Sequence, residues 1–253
     1  MDLGLGKLKA VVTGGTKGIG RAIAETLAGE GADVAICARN AAQVKTAVAA
    51  LRAKGVNAMG DALDVADGPV LKAWVGNVGK ELGGIDIVIA NVSALSIAGD
   101  DDSWRKSFAV DMMGAVNLVN AAMPYLEKSR HGAIVTISSV SGREIDFAAG
   151  PYGTFKAALI HYTQGLAFQL AGKGIRANSV SPGNTYFEGG VWNQIKDGNP
   201  ALYAQALALN PTGRMGTPQE MANAVVFIAS PAASFITGSN LVVDGALTRG
   251  VQF

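Results

Sequence analysis

Residues 9–29 read KAVVTGGTKGIGRAIAETLAG, and this stretch restricts the fold more tightly than any other. Lys9–Thr13 is a short run with the β-branched character of a buried strand. Gly14-Gly15-Thr16-Lys17-Gly18-Ile19-Gly20 follows, and Arg21–Gly29 reads as a helix. A strand, a glycine turn and a helix in that order aim backbone N–H groups and the positive end of a helix at one place, which suits a diphosphate. The glycines are spaced G-x-x-x-G-x-G at Gly14, Gly18 and Gly20, not G-x-G-x-x-G. A tight turn with no ligand could use the same residues.

A second stretch, GAIVTISSVSGREIDFAAGPYGTFK at 132–156, joins another strand to another helix. Ile134, Val135 and Ile137 mark the strand over Gly132–Ser139. Pro151 suits a first helical position, where its missing N–H costs nothing. Tyr152 and Lys156 are four apart, so they share a helix face. Ser139, at the strand end, is presented toward that face. Taken alone, these could equally be a surface tyrosine, a solvated lysine and a loop serine.

Together the two stretches resemble the short-chain dehydrogenase/reductase family in its compact form. The glycine spacing matches, and so does a serine followed thirteen residues later by Tyr-x-x-x-Lys, here Ser139, Tyr152 and Lys156. The resemblance runs from Lys7 to about Gly245. Phe155 stands where a serine often precedes the lysine. The fold it implies is α/β: a Rossmann-like, doubly wound, parallel seven-stranded sheet with helices on both faces. One catalytic domain over 1–253 is expected, with a substrate lid at 186–216, where Tyr186, Phe187, Val191, Trp192, Ile195, Tyr203 and Leu207 give short apolar faces. A pair of surface helices would share that composition.

The resemblance also implies roles for individual residues. Tyr152 is the acid/base, Ser139 orients the substrate oxygen, and Lys156 favours the phenolate and holds the nicotinamide ribose. A free tyrosine titrates near about 10, so such help is needed at neutral pH. The cofactor-binding set is Gly14, Thr16, Lys17, Gly18, Ile19, Arg39, Asp64, Val65, Asn91, Tyr152, Lys156, Pro182, Gly183 and Thr185. Asp64-Val65 is expected to read the adenine, and the Pro182–Thr185 turn to lie beside the nicotinamide. Three positions depart from the family. Asn91-Val92-Ser93-Ala94 replaces Asn-Asn-Ala-Gly, and the usual threonine lies farther past Pro-Gly than Thr185. Asp111, counted with the catalytic set, replaces an asparagine that helps hold a water linked to the lysine. An aspartate brings charge and lacks the NH₂ donor.

The end of the second strand bears on the cofactor. An NAD site wants an acid there for the ribose hydroxyls, whereas a 2′-phosphate wants a cation. Asp33–Ala38 ends in Arg39-Asn40 with no acid, and Lys17 adds a second cation. NADP(H) is therefore expected, the alternative being that both cations simply face water.

The remaining features narrow the class. Apolar residues make up 49% and charged residues 16%, which suits a packed core rather than disorder. A net charge of +1 with no basic run gives no nucleic-acid surface. Cys37 is the only cysteine, so no intrachain disulfide forms, and with two histidines no metal site is expected. The acids of Asp100-Asp101-Asp102-Ser103 read as a helix start. The apolar runs are of strand length and no secretory signal precedes them, so no membrane association and a cytoplasmic location are expected. The segment 69–82 reads as a helix with Val70, Trp74, Val78 and Leu82 inward. His161 is expected to pack or make a polar contact.

Function is then expected to be hydride transfer between a small carbonyl and a secondary alcohol, similar to 3-oxoacyl-carrier-protein reductases and small-ketone reductases. A non-catalytic dinucleotide-binding regulator on the same fold is the alternative. The resemblance implies a homotetramer, or else a dimer, with Leu166, Phe168, Phe235 and Ile236 as interface candidates.

Overall fold

The structure, a computed structural model, describes residues 1–250; the last three positions of the expected 1–253 unit lie outside the described residues. Seven strands alternate with helices in the order the sequence predicts. They are β1 Lys9–Thr13, β2 Asp33–Ala38, β3 Ala58–Ala62, β4 Ile87–Ala90, β5 Ala133–Ile137, β6 Arg176–Pro182 and β7 Asn240–Val243. All pair in parallel, in the spatial order β3-β2-β1-β4-β5-β6-β7. The strand order reverses between β1 and β4, and a crevice opens there at the carboxyl ends of the strands.

The strands are apolar on both faces because helices cover both. β1, β2, β4 and β5 are buried almost throughout, as expected of a doubly covered parallel sheet. One core packs α1 (Gly18–Gly29), α2 (Ala41–Arg52) and α9 (Pro218–Ala229) against Val12, Ile36, Ile89 and Val135. The other packs α3 (Gly68–Glu81), α5 (Gly114–Leu126) and α6 (Pro151–Leu170) against Val11, Ala35, Val88 and Ile134. Alternate residues of one strand thus serve opposite cores. Cys37 lies in the second, and burial pushes its thiol up to about 12. Among the described residues no helix is long and apolar enough to cross a membrane.

Several local expectations are corrected. β3 begins at Ala58, and just before it Asp33 accepts from both the backbone N–H and the side-chain amide of Asn57. The inward face of α3 is Leu71, Trp74, Val75 and Val78; Val70, in the first turn beside Pro69, is 46% exposed. His161 faces outward, and Leu166 is buried in its own core. The stretch after the three acids is not one regular helix. α4 (Asp101–Ser107) is capped by Asp100, whose carboxylate accepts from Ser103 N–H at 2.8 Å. The backbone then widens into a π-helical segment, Phe108–Met113, before α5. The 186–216 region forms α7 (Val191–Gly198) and α8 (Pro200–Ala208) over a small cluster of Trp192, Ala206 and Met215.

Arg176, the first residue of β6, ties the edge of the sheet to α9. Its Nη1 donates to the carbonyls of Ile228 and Ile236 at 2.7 and 3.2 Å, and its Nη2 to those of Ala229 and Ser230 at 2.8 and 3.0 Å. Ile228 and Ala229 close α9 and Ser230 caps it, where a helix end leaves carbonyls without partners. Burial lowers the guanidinium below the usual arginine value without removing its charge. Arg176→Met keeps much of the stem but strips the donors. Its expected cost is about 3 kcal/mol, the scale of charged hydrogen bonds left unmade. Urea unfolding of the two proteins measures it, and a loss below about 1 kcal/mol would mean that water replaces the clamp.

Candidate active site

The sequence-derived residues converge on the carboxyl edge of the sheet. Gly14 to Ile19 follow β1, Arg39 follows β2, Asp64 and Val65 follow β3, and Asn91 follows β4. Ser139 follows β5, and Pro182 to Thr185 end and follow β6. Tyr152 and Lys156 come from the first turns of α6, and Asp111 from the π-helical segment. A separate concavity of about 580 Å³ lies between α2 and β3, lined by Val44, Lys45 and Asp61 among others, and contains none of these residues.

The glycine turn is shaped by contacts that exclude side chains. Gly18 has φ +55°, a left-handed conformation that favours glycine. A Cβ on Gly20 would lie 2.3 Å from both the Gly14 carbonyl oxygen and Asn91 Nδ2. Asn91 holds the same turn: its amide donates to Thr13 O at 3.0 Å and to Gly14 O at 3.5 Å, while its own N–H donates to Thr13 Oγ1 at 3.1 Å. Its side chain is thereby engaged by backbone. Ile19 packs against the first core and Thr16 Oγ1 lies 3.5 Å from Gln43 Oε1. Lys17 precedes α1 in an extended conformation. Lys17 and Arg39 are both exposed, and neither forms an ion pair among the described residues. The N–H groups of Gly14 and Gly15 donate to Cys37 O at 2.8 and 3.4 Å, so the later part of the turn, at the start of α1 and with the exposed Lys17, is where an anion would meet backbone donors and positive charge.

The other expected cofactor positions are engaged as follows. The exposed Asp64 accepts from Ala66 N–H at 3.0 Å, and Val65 packs where Gly114 leaves space. Gly183 donates its N–H to Val243 O at 3.0 Å, and a Cβ there would meet Asp244 at 2.7 Å. Thr185 is buried and its hydroxyl donates to Gly183 O at 3.1 Å, so it shapes its own turn.

Lys156 is the centre of the remaining group. It is 2% exposed, and its Nζ donates to Ile137 O at 3.0 Å. Nζ also lies 3.2 Å from Asp111 Oδ1, whose side chain is equally buried, and 5.6 Å from the centre of the Tyr152 ring. The ion pair is off the hydrogen-bonding direction, so Asp111 Oδ1 has no hydrogen-bond partner. Oδ2 accepts from Ala94 N–H at 3.0 Å. α6 is fastened to β5 by Ser138 Oγ, which donates to Lys156 O at 2.7 Å, and by the 2.7 Å contact between Thr136 Oγ1 and Thr163 Oγ1. Ser139 Oγ donates to Ser141 Oγ at 3.3 Å, and Ser141 Oγ to Asp146 Oδ2 at 2.6 Å. The arrangement presents a phenol, a hydroxyl and an ammonium at one strand–helix junction, which can position an oxygen and move a proton to or from it.

Sequence reasoning missed three features. Ile137 and Ser138 hold Lys156 through a backbone carbonyl and a hydroxyl, which carry no sequence signature. Phe187 seats its ring against the glycine turn, 2.6 Å from where a Gly18 Cβ would stand. Phe147, in the loop before α6, packs edge-to-face on Trp192 of α7 at 5.9 Å between ring centres. Both aromatics could as well have been ordinary core residues, so only their placement distinguishes them.

Comparison with known proteins bears on this geometry. A family model described as enoyl-(acyl carrier protein) reductase matches residues 14–248. Isoepoxydon dehydrogenase patN of Penicillium expansum is 41% identical over 258 residues, covering 100% of this chain and 99% of the relative. The 3-oxoacyl-[acyl-carrier-protein] reductase FabG of Escherichia coli K12 is 36% identical over 244 residues, covering 94% and 96%. Among solved structures, L-sorbose reductase of Gluconobacter frateurii, complexed with NADPH and L-sorbose, superposes with a TM-score of 0.91. It is 30% identical and covers 99% of this chain and 100% of that one.

Proposed function

Because this chain belongs to the short-chain dehydrogenase/reductase family, and so is an oxidoreductase, we propose that it interconverts a small ketone and its secondary alcohol with NADP(H) and Tyr152 as acid/base. The observation that carries the reading is the buried Lys156 ammonium, fixed at the end of β5 beside Ser139 and one helical turn from Tyr152.

The nicotinamide, when bound, supplies or accepts the hydride. In reduction Tyr152 donates its phenolic proton to the carbonyl oxygen; in oxidation its phenolate takes the alcohol proton. Lys156 stabilises negative charge on the Tyr152 oxygen. The Ser139 hydroxyl donates to the substrate oxygen and holds it toward Tyr152. The glycine turn with the N-terminus of α1 holds the diphosphate, and Lys17 and Arg39 hold the 2′-phosphate.

The substrate is a free small molecule in this reading. Leu95, Ile97, Ile145 and Phe147 are large apolar side chains left more than half exposed in the loops following β4 and β5, so the mouth is apolar. α7 and α8 serve as the lid, with Trp192 against Phe147 as its contact. In the α7–α8 segment and the turn after it the cations are engaged, Lys196 lying over the rings of Tyr186 and Tyr203 and Arg214 pairing with Glu220, so that segment offers no cluster of cations for a phosphopantetheine arm. A nucleotide-binding regulator is the second reading, favoured only by Asp111 standing beside the lysine. A homotetramer, with a dimer second, is the proposed assembly, and Phe168 and Phe235 are its exposed apolar candidates.

Three measurements test the proposal. Reduction of a panel of aliphatic, aromatic and alicyclic ketones with NADPH should give turnover that Tyr152→Phe lowers at least ~100-fold, with cofactor affinity retained. Near-native reduction by that variant removes Tyr152 from the chemistry, and an inactive wild type favours the regulator. Calorimetric titration of the wild type and Arg39→Ala should give an NADPH preference of about ten-fold or more that the substitution reduces while NADH binding hardly changes. Equal losses for both would refute phosphate recognition by Arg39. Sedimentation at micromolar concentration should give the mass of four chains; a stable monomer would overturn the assembly.

A further inference from the structure

We propose that Asp111 is a positioning residue whose charge offsets the field of Lys156 at Tyr152, so that proton transfer by Tyr152 is set to a higher pH than a neutral residue at 111 would give. The proposal rests on the reading of Tyr152 as acid/base. Its basis is the geometry of one buried pair in which both oxygens and the nitrogen are held.

Asp111 Oδ2 is fixed by Ala94 N–H at 3.0 Å, from the loop after β4. That bond turns Oδ1 toward Lys156 Nζ at 3.2 Å. The nitrogen cannot withdraw, because Ile137 O holds it at 3.0 Å from the other side. Both side chains are 1–2% exposed, so bulk solvent and salt screen the pair little. The π-helical segment Phe108–Met113 contains Asp111, and among the described residues the buried side-chain atoms left without hydrogen-bond partners are Asp111 Oδ1 and, at the end of α4, Ser107 Oγ. A cavity with room for about one water lies beside Asp111, lined by Thr13, Val92 and Val110. Among the described residues no protein group other than Lys156 is in contact with Oδ1, and the one further partner the cavity admits is a single neutral water.

The consequence follows from charge. A lone buried ammonium 5.6 Å from the ring centre would favour the phenolate. Here a carboxylate in contact with that ammonium sits within about 9 Å of the same ring, and its charge opposes that effect. The other charged side chains of the loop before α6 are Arg143, Glu144 and Asp146: Asp146 reaches Ser139 only through Ser141, Glu144 accepts from the N–H groups of Arg249 and Gly250, and Arg143 forms no ion pair among the described residues. β5 contributes a carbonyl and the loop after β4 an N–H, neither of them titratable. Asp111 is thus the one carboxylate in direct contact with Lys156 among the described residues.

The test is a titration of tyrosinate absorbance in the full chain, with Tyr152→Phe as the subtraction that isolates Tyr152. In Asp111→Asn, which keeps an acceptor for Lys156 but removes the charge, the isolated band should appear about one pH unit lower than in the wild type. Asp111→Glu should return it toward the wild-type position. The alkaline-rising limb of alcohol oxidation, followed with cyclohexanol or another turned-over panel alcohol, should move the same way. An unchanged band, or a shift to higher pH, overturns the proposal and leaves the Tyr152 assignment intact. Activity surviving in Tyr152→Phe would instead remove the underlying reading. If Asp111→Asn fails to fold, Asp111→Ser repeats the charge removal with a smaller side chain. Failure of both to give folded protein while Asp111→Glu folds would assign Asp111 to folding alone and also overturn it.

Discussion

A buried ammonium is costly unless it is paired and hydrogen-bonded, and the carboxyl edge of this sheet is arranged around one. Lys156 meets that requirement with two partners from different elements, a β5 carbonyl and a carboxylate from the π-helical segment. Those partners fix where α6 can lie. Ser138 and Thr136 then fasten the helix to β5 by hydroxyls, at the lysine and two turns beyond it. Because α6 begins at Pro151, the position of Tyr152 follows from that of Lys156. Removing either partner would leave a charge that the core cannot solvate.

The same economy of backbone groups organises the glycine turn. β1 ends at Thr13, and the carbonyls of Thr13 and Gly14 are taken up by the amide of Asn91 from β4. That places the end of β4 against the turn and leaves no room for a side chain at Gly20. The N–H groups of Gly14 and Gly15 are taken by the Cys37 carbonyl of β2, and the rest of the turn leads into the start of α1 beside the point where the strand order reverses. The geometry of the turn is thus set by two adjacent parallel strands, and only then by its own glycines.

Other parts of the chain surround this edge. The loops after β4 and β5 carry exposed apolar side chains, and α7 meets one of them through the Trp192–Phe147 contact. The return into the scaffold is rigid by comparison. Arg214 bonds both oxygens of Glu220, and Thr217 and Glu220 cap the start of α9 reciprocally. These bonds hold the Glu220 carboxyl down at about 2. The α7–α8 region therefore returns to α9 through a well-anchored turn.

The sequence by itself determined the order of strands and helices, the glycine turn, and the Ser139, Tyr152 and Lys156 spacing. Those depend on local periodicity and on residue types whose chemistry is evident in one dimension. α6 was legible to the residue, because Pro151 starts it and its glycine-rich end stops it. Other features were decided only by the tertiary structure. The inward face of α3, the start of β3 and the exposure of His161 depend on which neighbours arrive, not on local pattern. Asp111 is the clearest case. Its sequence position marks it as a substitution for an amide, but not that the acid forms a buried ion pair. That took three distant backbone segments, bringing Ala94, Ile137 and Lys156 around one carboxylate, and a contact between residues far apart in the chain leaves no trace in either one's local sequence.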